Sequence, residues 1–207
     1  MSNVRSLVLM NRKLFSSLLT KRLYPHLRAQ GYRGSGATLR RIAEPVVEVF
    51  NVQASSGGER CYFNLGLHLT FLPAEGGQIV EPSDLTESHC AFRSRIDPPA
   101  GQQFGWSYGS STQEAESNVE RAVVEWEHQA KAFFEAHSYP SGLTRMLEDL
   151  SVTDIHPTHL LTLARIARHL GQRERALHIA RSALERVPPA ASGLRYSINE
   201  FLARAET

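Results

Sequence analysis

Lysine is nearly missing from this sequence: of its 23 basic residues only Lys13, Lys21 and Lys131 are lysines. An arginine bias of this kind fits a GC-rich coding sequence as readily as a demand for bidentate anion recognition. Cysteine is scarce too. Cys61 and Cys90 fall in stretches that alternate with apolar neighbours, Phe63 and Phe92, so two small buried hydrophobes are expected ahead of a disulfide or a reactive thiol. No apolar run approaches the ~20 residues needed to cross a bilayer. Leu7 to Met10 is too short for a signal-peptide core and is followed by Arg12 and Lys13, so a bacterial cytoplasmic protein with no membrane partner is expected. Motifs that carry a mechanism are also lacking. Gly34-Ser35-Gly36 has neither the third glycine nor the preceding strand of a dinucleotide fingerprint, and no glycine-rich phosphate loop ends in Lys-Ser or Lys-Thr. His156-Pro157-Thr158-His159 has no carboxylate or thiol to complete a zinc ligand set. The expectation is therefore no cofactor, no metal and no catalytic residue.

What is present suffices for a folded core. With 207 residues, 42% apolar and 21% charged, the chain reads as one α+β domain over residues 1–139 and a helical tail over 140–207. The formal charge of +2 conceals an asymmetry. Residues 1–45 carry nine Lys or Arg against the single Glu44, whereas residues 111–139 carry six Glu against Arg121 and Lys131. A basic and an acidic helix in one chain are most simply explained by packing side by side. Nucleic acid is not the expected partner, because a nucleic-acid binder keeps its basic stripe free of internal counter-charge.

The clearest local signal is Cys61 to Leu72, CYFNLGLHLTFL, in which Cys61, Phe63, Leu65, Leu67, Leu69 and Phe71 alternate with Tyr62, Asn64, Gly66, His68 and Thr70. Period two predicts a strand with one covered face and one polar face, at the centre of an antiparallel sheet. Before it, Leu14, Phe15, Leu18, Leu19, Leu23 and Leu27 predict an amphipathic helix over 11–30, kinked or restarted at Pro25 and ended by Gly31. Gly34 to Gly36 should turn the chain into strands at 37–43 and 46–54, the second joined to the central strand through Ser55 to Glu59. Residues 73–87 read as an acidic surface loop, 89–96 as a strand, and Phe104, Trp106 and Tyr108 as a short aromatic one. Ser111 and Glu114 form a capping box opening a helix to about His137, which should share the covered face with the first helix. In the tail, helices are expected around Leu143 to Leu150, Pro157 to Leu170 and Arg173 to Arg186, with Ser192 capping a last one.

Two resemblances add to this. Leu160, Ala164, Ala167, Gly171, Ala176, Ala180, Ala183 and Pro188 stand at spacings where two antiparallel helices cross closely, and in this residues 157–190 resemble one tetratricopeptide repeat. A lone repeat cannot form the usual concave peptide groove, so a structural role stands beside peptide binding. The segments Leu27-Arg28-Ala29-Gln30-Gly31-Tyr32, Phe50-Asn51-Val52-Gln53-Ala54-Ser55, Phe63-Asn64-Leu65-Gly66 and His89-Cys90-Ala91-Phe92-Arg93-Ser94-Arg95 resemble, in that order, a bacterial family known as domain of unknown function 4304. The resemblance covers residues 10–140 and implies a fold, with no established activity. Family members often carry a lysine where this chain has Ala54, so any role for that lysine is absent here.

If the strands at 46, 61 and 89 are neighbours, the face opposite the helices carries Asn51, Gln53, Asn64, His68, Arg93 and Arg95. Amides, an imidazole and two guanidiniums suit an anion or an acidic protein surface better than catalysis, which needs a tuned base or a nucleophile. The plain alternative is a solvated face whose arginines pair with Glu48 or the acidic loop. Two functions follow: a non-catalytic protein-binding module, as an adaptor or a toxin-neutralising immunity protein, or an enzyme or binder acting on a phosphate or nucleotide at this face.

Overall fold

The computed structural model of the chain describes residues 2–74, 77–99 and 104–206, with side-chain environments between residues 11 and 205. The side chains of Leu7 to Met10, and Glu75 and Gly76 of the acidic loop, lie outside the described residues. The chain divides into two compact units, Met1–Glu135 and Ala136–Thr207. In the first, helix α1 (Ser2–Ala29) precedes strands β1 (Arg33–Ser35), β2 (Thr38–Ala43), β3 (Val46–Ala54), β4 (Arg60–Leu69), β5 (Phe92–Ile96) and β6 (Trp106–Ser107). Helix α2 (Thr112–Glu125) then runs through a π-helical turn, Trp126–Ala130, into α3 (Lys131–Ala136). Every strand pairing is antiparallel, in the order β1-β2-β3-β4-β5, with β6 also on β4. This is the expected α+β architecture, an antiparallel sheet with two helices on one face and a helical tail after it.

Alternation along the strands builds the inner face. Phe50 of β3, Cys61, Phe63 and Leu65 of β4 and Ile96 of β5 meet Phe15, Leu19, Leu23 and Leu27 of α1, and Ala115, Val119, Ala122 and Trp126 from the second helical segment, in one core. Phe63 is its aromatic hub, with ring centroids 5.3 Å from Trp106 and 5.7 Å from Phe50. Full burial of such a side chain contributes about 1.5 to 3 kcal/mol. Helix α1 ends where Gly31 adopts φ +94° and the Tyr32 N–H donates back to the Leu27 carbonyl at 3.1 Å. That positive φ is open to glycine and strained for other residues. Arg22 pairs with Glu116 at 3.7 Å and with Glu120, and His26 with Glu127, so the basic and acidic helices do pack side by side. Exposed pairs of this kind are worth at most about 1 kcal/mol each and orient the helices more than they hold them.

Several elements differ from expectation. The helix starts at Ser2 and continues through Pro25, which removes only the N–H that would bond to Lys21. Residues 33–35 form a short edge strand instead of a turn, because their register on β2 is set by the tight bend at Ser35 to Thr38. The central strand stops at Leu69. The strand expected from His89 begins only at Phe92, and Glu87–His89 form a 3-10 turn, so Cys90 lies off the sheet. Ser111 Oγ accepts from the Glu114 N–H at 3.2 Å, but the Glu114 carboxylate reaches past it to Ser110, accepting from its N–H at 2.8 Å and its hydroxyl at 2.6 Å.

Register adds something the sequence did not show. Ile96 of β5 lies opposite Phe63 and Trp106 of β6 opposite Cys61, so the two short strands lie end to end along one edge of β4.

The second unit contains α4 (Ser141–Glu148), α5 (Pro157–His169), α6 (Arg173–Arg186) and α7 (Ser192–Glu206). His156 caps α5, its Nδ1 accepting from the Thr158 N–H at 3.3 Å. Ser192 is the first residue of α7 instead of its cap, and the Ala191 carbonyl accepts from the Arg195 N–H at 3.1 Å. Ala164, Ala167, Ala176, Ala180 and Ala183 are fully buried where α5 and α6 cross. Gly171 between them has φ +77° with open space around it, so the turn requires its conformation and not its small size. Among the described residues no helix is long and apolar enough to cross a membrane.

Candidate functional site

Facing away from the helices, the register places Val47, Val49, Asn51 and Gln53 of β3, Tyr62, Asn64, Gly66 and His68 of β4, and Arg93 and Arg95 of β5 on one outer surface. That surface has two unlike halves. Toward the end of β4, Val47 and Val49 are covered by Leu85 and Cys90, with Val80 packed against them. Gly66 makes this possible: a Cβ there would come within 2.6 Å of the Cys90 Sγ and 3.2 Å of the Glu87 Cα. The Cys90 thiol donates to the Thr86 carbonyl at 3.3 Å, and burial pushes it up to about 12.

His68 belongs to this covered half. It is 3% exposed, its Nε2 bonds to the Leu72 carbonyl at 3.2 Å, and its Nδ1 has no hydrogen-bond partner among the described residues. The carbonyl assigns the proton to Nε2, and burial holds the imidazole below its ordinary value and neutral. The outward position read from alternation is correct, but His68 stands apart from the open half and lines a separate cavity with Val80 and Leu85.

The other half is open. Thr38, Asn51, Asn64 and Arg95 stand directly opposite one another across four strands. Their side chains form a directed chain of hydrogen bonds: Arg95 Nε donates to Asn64 Oδ1 at 3.0 Å, Asn64 Nδ2 to Asn51 Oδ1 at 3.3 Å, and Asn51 Nδ2 to Thr38 Oγ1 at 3.0 Å. Asn64 Nδ2 also donates to Gln53 Oε1 at 3.1 Å, which satisfies an amide only 5% exposed. The Arg95 guanidinium carbon lies 4.8 Å from the Tyr62 ring centre and 5.3 Å from that of Phe104. Phe104 is itself 59% exposed, which is unusual for so large an apolar side chain. Three contacts thus hold the guanidinium plane in place, and among the described residues no carboxylate pairs with it.

Gln53, Asn64, Glu87, Arg93, Ser94 and Arg95 line one open depression of about 420 Å³. Five of the six expected residues therefore lie together on the open half, and His68 does not. Sequence reading missed Tyr62, Phe104 and Glu87. Tyr62 was visible as an outward position of β4, whereas Phe104, read as part of an aromatic strand, lies before β6, and Glu87 belongs to a 3-10 turn that no periodicity marks. Glu48, expected as a counter-charge for the arginines, points inward: it is 6% exposed, accepts from the Tyr32 hydroxyl, and accepts from Arg41 Nε at 2.9 Å. Burial and the Glu48 charge raise the Tyr32 phenol above its ordinary range, so this cluster is a phenol, a carboxylate and a guanidinium satisfying one another inside the fold.

Chemically, the open half offers donors in a fixed plane and one nearby carboxylate. Both thiols are buried and pushed up to about 12, which leaves them as thiols at neutral pH. Among the described residues no three His, Cys, Asp or Glu side chains are grouped to hold a metal ion. The arrangement fits recognition of an anionic group. A family model described as domain of unknown function (DUF4304) matches residues 23–141, a span that includes every residue of the open half. No curated protein and no solved structure matches the chain.

Proposed function

This chain belongs to the DUF4304 family, and we propose that its family domain is a non-catalytic protein-binding module that grips an acidic surface of a partner protein with the open half of the outer face. The observation that carries this reading is Arg95. Its guanidinium rests against the Tyr62 and Phe104 rings, which also touch each other, and is anchored through Nε to Asn64, with its remaining N–H groups unpaired among the described residues. Such a group has already lost most of its rotamer freedom, so pairing it with a carboxylate costs less entropy than pairing a mobile arginine. An adaptor, or an immunity protein that neutralises a bacterial toxin, would use a surface of this kind. We further read α5 and α6 as one tetratricopeptide-like repeat, supported by the five buried alanines at their crossing; it serves the second unit as packing.

A second reading rests on Glu87, whose presence beside Arg93 and Arg95 gives the depression a carboxylate as well as guanidiniums. An enzyme or binder acting on a phosphate or nucleotide could use that pair. Titration of the full chain with a synthetic Glu-rich peptide, with pyrophosphate and with ATP separates the two. Peptide binding that weakens with salt and falls at least about tenfold in Arg95→Ala, roughly 1.4 kcal/mol, supports the protein-binding module. Binding or turnover of the phosphate compounds without peptide binding overturns it in favour of the second reading.

A further inference from the structure

The outer face ends at an edge strand. Among the described residues no strand pairs with β5 on the side away from β4. The direction of its backbone groups follows from register. The Ser55 N–H donates to the Arg60 carbonyl at 2.9 Å and the Thr70 N–H to the Pro45 carbonyl at 2.8 Å, so the even residues of β4 bond toward β3 and the odd ones toward β5. Their partners in β5 are Phe92, Ser94 and Ile96, which turns the backbone N–H and C=O of Arg93, Arg95 and Asp97 outward. At Asp97 a side chain already plays the part of a next strand: Gln129 Oε1 accepts from its N–H and Gln129 Nε2 donates to its carbonyl, both at 2.9 Å. Beyond that plug the edge is open at Arg95, whose backbone pairs with nothing among the described residues, and the flanking Ser94 side chain is exposed.

We infer that the partner meets this edge as an extended acidic segment, adding one strand to β5 with its carboxylates beside Arg93 and Arg95. The inference rests on the reading of the open face as a protein-binding surface and names what that surface binds. Charge decides the occupant. A second copy of this chain paired antiparallel about Ser94 would set Arg93 of one copy opposite Arg95 of the other, and like charges directly opposite destabilise a strand pair. An acidic strand meets the same two positions with opposite charge, its main chain supplying the hydrogen bonds and its alternate side chains the selectivity. Because Arg93 and Arg95 project to the same face, the segment needs its acidic residues at every second position.

The test uses the full chain and a synthetic peptide of alternating glutamate and threonine. The expected result is salt-sensitive binding that slows hydrogen exchange at the Arg95 amide, with a peptide N-methylated on alternate residues binding about tenfold more weakly, the loss of one or two net hydrogen bonds. Arg95→Pro deletes an N–H that points away from β4 and so leaves the existing ladder whole; it is expected to weaken peptide binding well beyond the loss in Arg95→Ala, which removes the side chain alone, while the circular dichroism spectrum is unchanged. Binding that depends on the Arg95 side chain, with no amide protection and no loss on N-methylation, overturns strand addition and leaves the face reading standing. No peptide binding to the wild-type chain overturns both. A dimer in solution that Arg95→Pro dissociates, or a single-stranded oligonucleotide bound in place of the peptide, also overturns the inference.

Discussion

The two faces of the sheet are closed in different ways. Helices α1 and α2 cover the inner face with a repeating stripe, and Leu39, Phe50, Cys61, Phe63, Leu65 and Ile96 meet apolar helix positions in an aromatic-rich core. The outer face is closed over one half only, by an irregular segment resting on Val47, Val49 and the bare backbone of Gly66. A helix brings a contact every turn, so its cover is redundant and loses stability in proportion to the volume removed. An irregular cover depends on a few close approaches, so it fails at points. The uncovered half can present polar groups to a partner because the covered half anchors the strands beneath it.

Four experiments sharpen or break that contrast. The largest effect is expected at the centre of the inner core. Phe63→Ala, at a fully buried position in contact with Phe50 and Trp106, should lower the unfolding free energy by about 3 to 5 kcal/mol in a denaturant titration. Next comes Gly66→Ala, where adding one carbon should cost about 1 to 3 kcal/mol, because the new Cβ must displace Cys90 and the Glu87 backbone. Combining it with Cys90→Ala should recover part of the loss, since the Sγ contact at 2.6 Å disappears while the contacts to the Cys90 Cβ at 3.0 Å and the Glu87 Cα at 3.2 Å remain. A Gly66→Ala protein as stable as wild type would show that the irregular cover yields freely and that the contrast between the faces is false.

The third experiment varies pH. His68 is held neutral by burial, so below its ordinary value of 6.5 the unfolded chain binds a proton that the folded chain does not. Stability should therefore be full above about pH 6.5 and fall as the pH drops below it. His159 in the second unit, lowered by burial and by His137, has the same sign, so the informative quantity is the difference between wild type and His68→Gln. A smaller acid-side loss in the variant is the expected outcome, and an identical slope would place His68 in water. The smallest stability effect belongs to the open half: Arg95→Ala should lower the unfolding free energy by no more than about 1 kcal/mol, the worth of its hydrogen bond to Asn64. A loss well above that would make the guanidinium stack a structural strut instead of a presented surface.

Much of the inner face could be read directly. Strand β3 was bounded at Val46 and Ala54, the outward set Asn51, Gln53 and Asn64 followed from parity, and the pairing of a basic with an acidic helix followed from charge. The outer cover could not be read in the same way. Residues 73–87 look like a polar loop because most are polar, yet Val80 and Leu85 within them pack against the sheet. Two apolar residues at irregular spacing carry no periodic signal, and their placement over His68 depends on contacts distant in sequence.

By itself the sequence determined the bounds of β3, the presence of β4 though not its end at Leu69, that the two pair as a hairpin, and on which side of the sheet their side chains stand, because pleating has period two and the Ser55 to Glu59 turn sets the register. The tertiary structure alone decided how much of each side is covered. Whether an outward residue becomes a buried imidazole like His68 or a presented guanidinium like Arg95 depends on where Val80, Leu85, Cys90 and Phe104 come to rest. That is settled by close approaches at Gly66, Cys90 and Phe104, which join residues far apart in the chain and leave no local pattern in it.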